Sequence, residues 1–169
     1  MYFNKVQEKI FVTHNIFFKD SYFSHKLCSS ENLTLYEDDF SFFKKSFLYI
    51  ITETVAEYPY PYFTEKTWKA MLLQKPFLMV NSQHSLKKLK DFGFKTFDEF
   101  WDEGYDDLEY AADRIDKITE IVSDLSNLTA NEIDTLYKKM LPLLEHNQQQ
   151  VKTLYFDQQN DIKEKLKNL

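Results

Sequence analysis

Three adjacent residues, Thr64, Glu65 and Lys66, carry the most recognisable chemistry in this sequence. They follow the apolar run 47–51 and precede an apolar pattern of helical spacing, so they are expected at the start of a helix. Backbone N–H groups at a helix start attract phosphate, and a lysine there can reach the same phosphate. A neighbouring carboxylate can accept both hydroxyls of a ribose. The pattern is typical of a nucleotide site, and also of ordinary helix capping.

The elements that position these residues begin with three short apolar segments. Phe47–Ile51 and Phe77–Val80 are continuous apolar runs, as expected for strands buried on both faces, and Phe94–Phe97 is a third candidate strand. Helices alternate with them, which predicts a parallel sheet with right-handed crossovers. Such sheets bind ligands at the carboxyl ends of their strands.

The predicted helices between the strands have recognisable ends. Thr64 is the expected N-cap of the first helix, and Pro76 is expected to stop it. Ser82 or Ser85 is expected to cap the second, short helix. Gly93 is expected to close that helix in a left-handed conformation.

Beyond Gly104 the pattern is helical throughout. Asp106 and Glu109 have the spacing of a capping box and are expected to start a long amphipathic helix. Thr129 is expected to open a second helix, in which Pro142 should produce a kink.

The predicted fold class is α/β, a single Rossmann-like domain with a short parallel sheet flanked by helices and followed by long C-terminal helices. We place this nucleotide-binding domain at residues 46–128 and the helical extension at 129–169. Residues 1–45 form an N-terminal extension of unclear structure, with short strands predicted at 9–14 and 34–36.

Composition excludes several classes of protein. The two glycines, Gly93 and Gly104, cannot form a GxGxxG or Walker A loop. A net charge of −6 disfavours binding to nucleic acid. The single cysteine, Cys28, excludes an internal disulfide and a CxxC metal site.

The N-terminal segment Met1–Asp20 does not resemble a signal peptide, because Lys5, Glu8 and Lys9 interrupt its apolar stretch. No apolar run reaches the ~20 residues that a membrane span needs. We therefore expect a cytoplasmic protein without a membrane span.

A second group of candidate site residues surrounds the first. Thr52 and Glu53 end the first predicted strand, where a carboxylate would face the ligand cleft or lie at a solvated strand end. Tyr60, Tyr62 and Phe63 could stack on a base or cover the edge of the sheet.

No metal site is predicted. Six carboxylates between residues 98 and 107 lack the glycine and the alternating oxygens of a calcium loop. The four histidines are scattered without the paired spacing of a zinc site, and His84 alone falls on the expected ligand side.

The segment from Phe47 to Asp107 contains TEKTWKAMLLQKPFLMV and, downstream, FGFKTFDEFWDEGYDD. It resembles the C-terminal, donor-binding half of GT-B glycosyltransferases, especially fucosyltransferase-like and related viral and bacterial sugar transferases. The resemblance implies half of a GT-B fold that takes a nucleotide-diphosphate sugar, such as a GDP- or UDP-sugar, as substrate without a metal. It also implies that Glu65 holds the ribose, that Lys66 meets the phosphates, and that Thr64 contributes its hydroxyl or N–H.

About 45 residues precede this segment, which is too few for the acceptor-binding half of such an enzyme. Three hypotheses follow: a transferase completed by a second subunit or a second copy, a non-catalytic binding module that docks a partner through its C-terminal helices, or a structural part, for instance of a virus. The presence of both Glu65 and Lys66 favours the first two. The missing acceptor half favours the last two. No catalytic base is identifiable.

Overall fold

The computed structural model describes residues 46–167. The elements in that range are β1 (Tyr49–Thr52), α1 (Glu65–Leu72), β2 (Phe77–Val80), α2 (Ser85–Asp91), a 3-10 turn (Gly104–Asp107), α3 (Ala111–Ser126) and α4 (Ala130–Lys167). The predicted extension 1–45 and its short strands lie outside the described residues.

Strands β1 and β2 form a two-stranded parallel sheet, in which Tyr49 lies opposite Phe77 and Thr52 opposite Val80. Every residue of β2 is buried, because helices and loops cover both faces of the sheet. The α/β class and the first two strands are therefore confirmed, although β1 starts two residues later and ends one residue later than predicted. Because the strands are parallel, the residues that follow them meet at one edge, which we call the carboxyl edge.

The third predicted strand, Phe94–Phe97, does not form within the described sheet. The backbone N–H of Lys95 donates to Asn147 Oδ1 of α4, and Asn147 Nδ2 donates to the Lys95 carbonyl, both at 2.8 Å. A side-chain amide offers the same donor and acceptor as a peptide group, so it replaces a neighbouring strand. The apolar pattern of this segment instead reflects burial, since Phe94 and Phe97 lie in the core.

The predicted end of α2 is confirmed. Gly93 adopts a φ of +83°, and its N–H donates to the Lys90 carbonyl at 2.9 Å. The N–H of Phe94 donates to the Leu89 carbonyl at 3.0 Å, which completes a Schellman motif.

The predicted start of α2 is wrong. Neither Ser82 nor Ser85 caps the helix; the carboxylate of Asp106 accepts hydrogen bonds from the N–H groups of Leu86 (2.9 Å) and Lys87 (3.1 Å). Asp106 therefore does not begin the next helix, and α3 starts later, at Ala111. The cap comes from 20 residues further along the chain, beyond the reach of a local pattern.

The C-terminal helix begins as predicted. Thr129 and Glu132 form a capping box, in which the Thr129 N–H donates to Glu132 Oε2 at 2.8 Å. Helix α4 continues through Pro142, and its buried Met140 and Leu144 belong to the same core as the sheet. None of the helices in residues 46–167 has the length and apolarity needed to cross a membrane.

Replacing Asn147 with leucine should lower the free energy of unfolding by about 2–4 kcal/mol, because both backbone groups of Lys95 lose their partner. Urea unfolding measures the change. The control is Asn131→Leu at an exposed position of the same helix, which should change stability by less than about 0.5 kcal/mol. Equal effects of the two substitutions would contradict the pairing role of Asn147.

Candidate functional site

The carboxylate of Glu53 ties the end of β1 to the start of α1. Oε1 accepts hydrogen bonds from Thr64 N at 2.9 Å and from Thr67 Oγ1 at 2.6 Å, while Oε2 accepts from Thr64 Oγ1 at 2.5 Å. The side chain is buried, with only 3% of the residue exposed. Its negative charge lies at the N-terminus of α1, where the helix dipole favours an anion. Part of the anion-attracting capacity of this helix end is therefore used by the protein itself.

Thr64 is the N-cap of α1, as predicted, because its Oγ1 accepts a hydrogen bond from the N–H of Lys66. The side chain of Lys66 turns back toward the sheet, where Nζ donates to the Thr52 carbonyl at 2.9 Å. Within residues 46–167 this ammonium forms no ion pair. It can therefore donate two further hydrogen bonds at the carboxyl edge, since an ammonium has three N–H groups.

Glu65 lies beside Lys66 in the first turn of α1, and its side chain is exposed. Its charge still acts on the sheet. Burial raises the pKa of the Tyr49 hydroxyl, and the carboxylates of Glu53 and Glu65 raise that pKa further. Thr52, Glu53, Thr64 and Lys66 are thus joined by direct contacts, with Glu65 at the rim of the same edge.

The loop between β1 and α1, residues 53–64, is held by three polar side chains from outside it. Arg114 Nη2 donates to the Ala56 carbonyl. Ser82 Oγ accepts from the N–H of Tyr58 at 3.3 Å, and Asn81 Nδ2 donates to the carbonyl of Tyr62 at 2.9 Å. The predicted site residue Tyr62 therefore has a fixed backbone and an exposed ring.

Asn81 and Arg114 were not predicted from the sequence as site residues, and Ser82 was predicted only as a possible helix cap. Asn81 and Ser82 are the first polar residues after a buried strand, the same signal that singled out Thr52 and Glu53. Arg114 falls within the apolar face of α3, but it is the only arginine among 21 basic residues. A lone arginine in a lysine-rich chain indicates a place where the forked guanidinium is needed.

Arg114 is almost fully buried, with 2% of the residue exposed, and it bonds to four carbonyl groups. Nε donates to Asn81 O at 3.0 Å, and Nη1 donates to Leu108 O at 2.6 Å and Glu109 O at 2.9 Å; Ala56 O receives the fourth bond. Burial lowers the pKa of the guanidinium. One cation therefore fixes the loop after β1, the end of β2 and the turn before α3.

His84 follows β2 and borders the same edge. Its φ is +63°, and its Nδ1 lies 3.2 Å from Asp107 Oδ1, with both side chains largely exposed. Burial raises the pKa of the neighbouring Asp106 carboxyl, which is the cap of α2. In the part of the chain that the structure describes, no group of three or more His, Cys, Asp or Glu side chains is arranged to hold a metal ion.

Comparisons with protein-family models, with characterised proteins and with solved structures find no match for this chain. The function is therefore inferred from the geometry of the carboxyl edge and from the resemblance of its sequence.

Glu53→Ala should lower the free energy of unfolding by about 2–4 kcal/mol, because three donors at the start of α1 lose a buried, charged acceptor. Chemical denaturation measures the change, and Glu65→Ala is the matched control, because it removes an exposed carboxylate at the start of the same helix. That control should change stability by less than about 0.5 kcal/mol. The interpretation fails if Glu53→Ala is as stable as the control.

Arg114→Lys should lower the free energy of unfolding by about 2–3 kcal/mol, because an ammonium cannot reach all four carbonyls. Hydrogen exchange should also become faster at the N–H of Tyr58 and elsewhere in the 53–64 loop. The reciprocal control is Lys117→Arg, at an exposed position of α3, which should leave both measurements unchanged. Unchanged exchange in the loop of Arg114→Lys would show that the arginine does not fix it.

Proposed function

We propose that the chain binds a nucleotide-diphosphate sugar at the carboxyl edge of β1 and β2, as a Rossmann-like half of a GT-B type of fold. The observation that carries the proposal is the position of the Lys66 ammonium. It lies 2.9 Å from the Thr52 carbonyl at the end of a parallel strand, beside the start of α1. Ligand sites of open α/β sheets occur at this place, and a cation with donors to spare suits a diphosphate.

Each predicted residue has a role in this proposal. Lys66 holds the diphosphate, and the exposed carboxylate of Glu65 accepts the ribose hydroxyls. Because Glu53 already occupies part of the helix N-terminus, the lysine contributes more of the attraction for phosphate than the helix dipole does. Thr64 and Glu53 keep the lysine in position, and Tyr62 borders the site.

The proposed reaction is transfer of the sugar to a hydroxyl acceptor. The bond between the sugar carbon and the diphosphate oxygen breaks, and the diphosphate leaves with the electron pair. The acceptor oxygen bonds to that carbon and gives up its proton to a base. Lys66 would stabilise the negative charge that develops on the leaving diphosphate.

A thermal-shift screen against GDP, UDP, ADP, CDP and dTDP, with their common sugars, tests the proposal. One nucleotide should raise the melting temperature of the wild type selectively. The binding constant should be weaker by about 10- to 100-fold in Lys66→Ala, which loses a charge-assisted hydrogen bond to phosphate. Glu65→Ala should also weaken binding, without lowering the melting temperature of the ligand-free protein.

The matched control is Lys95→Ala, which removes an exposed lysine from the segment paired with α4. It should bind the nucleotide as the wild type does. A folded wild type that no nucleotide stabilises would overturn the proposal. So would a Lys66→Ala variant that keeps the full nucleotide shift.

A further inference from the structure

The loop between β1 and α1 combines a fixed backbone with exposed aromatic rings. Arg114, Ser82 and Asn81 bond to its backbone at Ala56, Tyr58 and Tyr62. Ser82 Oγ additionally donates to the carbonyl of Val55 at 3.5 Å. Glu53 and Thr64 fix the two ends. Pro59 and Pro61 further restrict the chain between these points.

The three tyrosine side chains of this fixed loop are exposed to water, whereas its Phe63 packs against the core. Tyr58 is 55% exposed, Tyr60 71% and Tyr62 59%. The rings of Tyr58 and Tyr60 meet edge to face, with centroids 6.3 Å apart and planes at 68°. Together the three residues form what we call the tyrosine platform. Exposed aromatic surface on a rigid support is costly for a protein in isolation and typical of a binding site, since little entropy is lost on binding.

The hydroxyl groups of the platform are also available. Two tyrosines that pack into the core use theirs inside the protein: the half-buried Tyr137 donates to the Gln74 carbonyl at 3.2 Å, and the buried Tyr105 accepts from the Met79 N–H at 3.5 Å. The three platform hydroxyls have no hydrogen-bond partner among residues 46–167. Each ring therefore offers an apolar face and an open polar group side by side.

The charged side chains of the loop, residues 53–63, indicate which class of ligand the tyrosine platform can bind. Residues 53–63 contain no lysine, arginine or histidine. Their only exposed charge is the carboxylate of Glu57, because Glu53 is buried. A polyanion such as a nucleic acid or an anionic membrane is disfavoured by this surface. A neutral saccharide fits it, since its C–H faces can lie on the rings while its hydroxyls pair with phenol and carboxylate oxygens.

We infer that the tyrosine platform binds a neutral saccharide. The loop leads directly into Thr64 and Lys66, so the saccharide would lie beside the diphosphate site and be placed as the acceptor of the transferred sugar. Only its description as the acceptor rests on the proposed function; the binding surface itself does not.

The test is binding of the purified chain, without nucleotide, to an array of neutral glucans, mannans, galactans and oligosaccharides that contain fucose or N-acetylglucosamine. The strongest ligand is then titrated by calorimetry. Tyr60→Ala should weaken binding about tenfold, as expected for the loss of one stacked ring. The double variant Tyr58→Ala/Tyr60→Ala should show no binding. All three rings are exposed, so these variants are expected to fold, and circular dichroism checks that they do.

Tyr155→Ala is the matched control, because it removes a tyrosine of similar exposure (58%) from α4. It should bind the saccharide as the wild type does. If the wild type binds a saccharide but no nucleotide, the proposed binding of a nucleotide-diphosphate sugar is overturned and the tyrosine platform is not. Absence of saccharide binding by the wild type, or unchanged binding by Tyr60→Ala, would overturn the platform. Loss of nucleotide binding in Tyr60→Ala without loss of saccharide binding would likewise overturn it and indicate stacking on the base.

Discussion

The buried carboxylate of Glu53 is the constraint on which the carboxyl edge depends. A carboxylate without water is stable only when its oxygens accept several hydrogen bonds. Thr64 and Thr67 supply them, so α1 must begin directly against the end of β1. Lys66 lies between these two threonines in the sequence and is thereby brought to the Thr52 carbonyl. The hydrogen bonds that the buried Glu53 requires therefore place the Lys66 ammonium at the carboxyl edge, where parallel sheets bind their ligands.

The second constraint is the set of neutral acceptors around Arg114. Its guanidinium spreads its charge over four carbonyls that belong to three separate segments of the chain. None of these segments has regular structure at the point of contact, so their carbonyls have no helical or sheet partner there. The arginine satisfies them and removes the freedom of the loop at the same time. Loop rigidity at this edge is therefore a consequence of hydrogen-bond satisfaction rather than of apolar packing.

Local signals predicted the parts of the fold that local interactions decide. The apolar runs located β1 and β2, Gly93 located the end of α2, and the Thr129 capping box located the start of α4. The errors have one physical cause, which is a side chain that bonds to distant backbone. Asn147 takes the place of a neighbouring strand for Lys95, which lies 52 residues away in the sequence. Asp106 caps α2 through Leu86, which lies 20 residues away. In the site, Thr64 and Lys66 were placed correctly at the start of α1, whereas the burial of Glu53 and the reach of Arg114 depend on such distant contacts.

The same loop explains why one edge can present two unlike surfaces. Just beyond the loop, in the first turn of α1, the ammonium of Lys66 forms no ion pair with a described carboxylate. In the middle of the loop, the tyrosines offer uncharged rings and hydroxyls. Both surfaces are held by buried polar contacts, Glu53 for the lysine and Asn81, Ser82 and Arg114 for the rings. A diphosphate needs the first surface and a neutral sugar the second, so the fixed backbone between them sets the distance at which the two could meet.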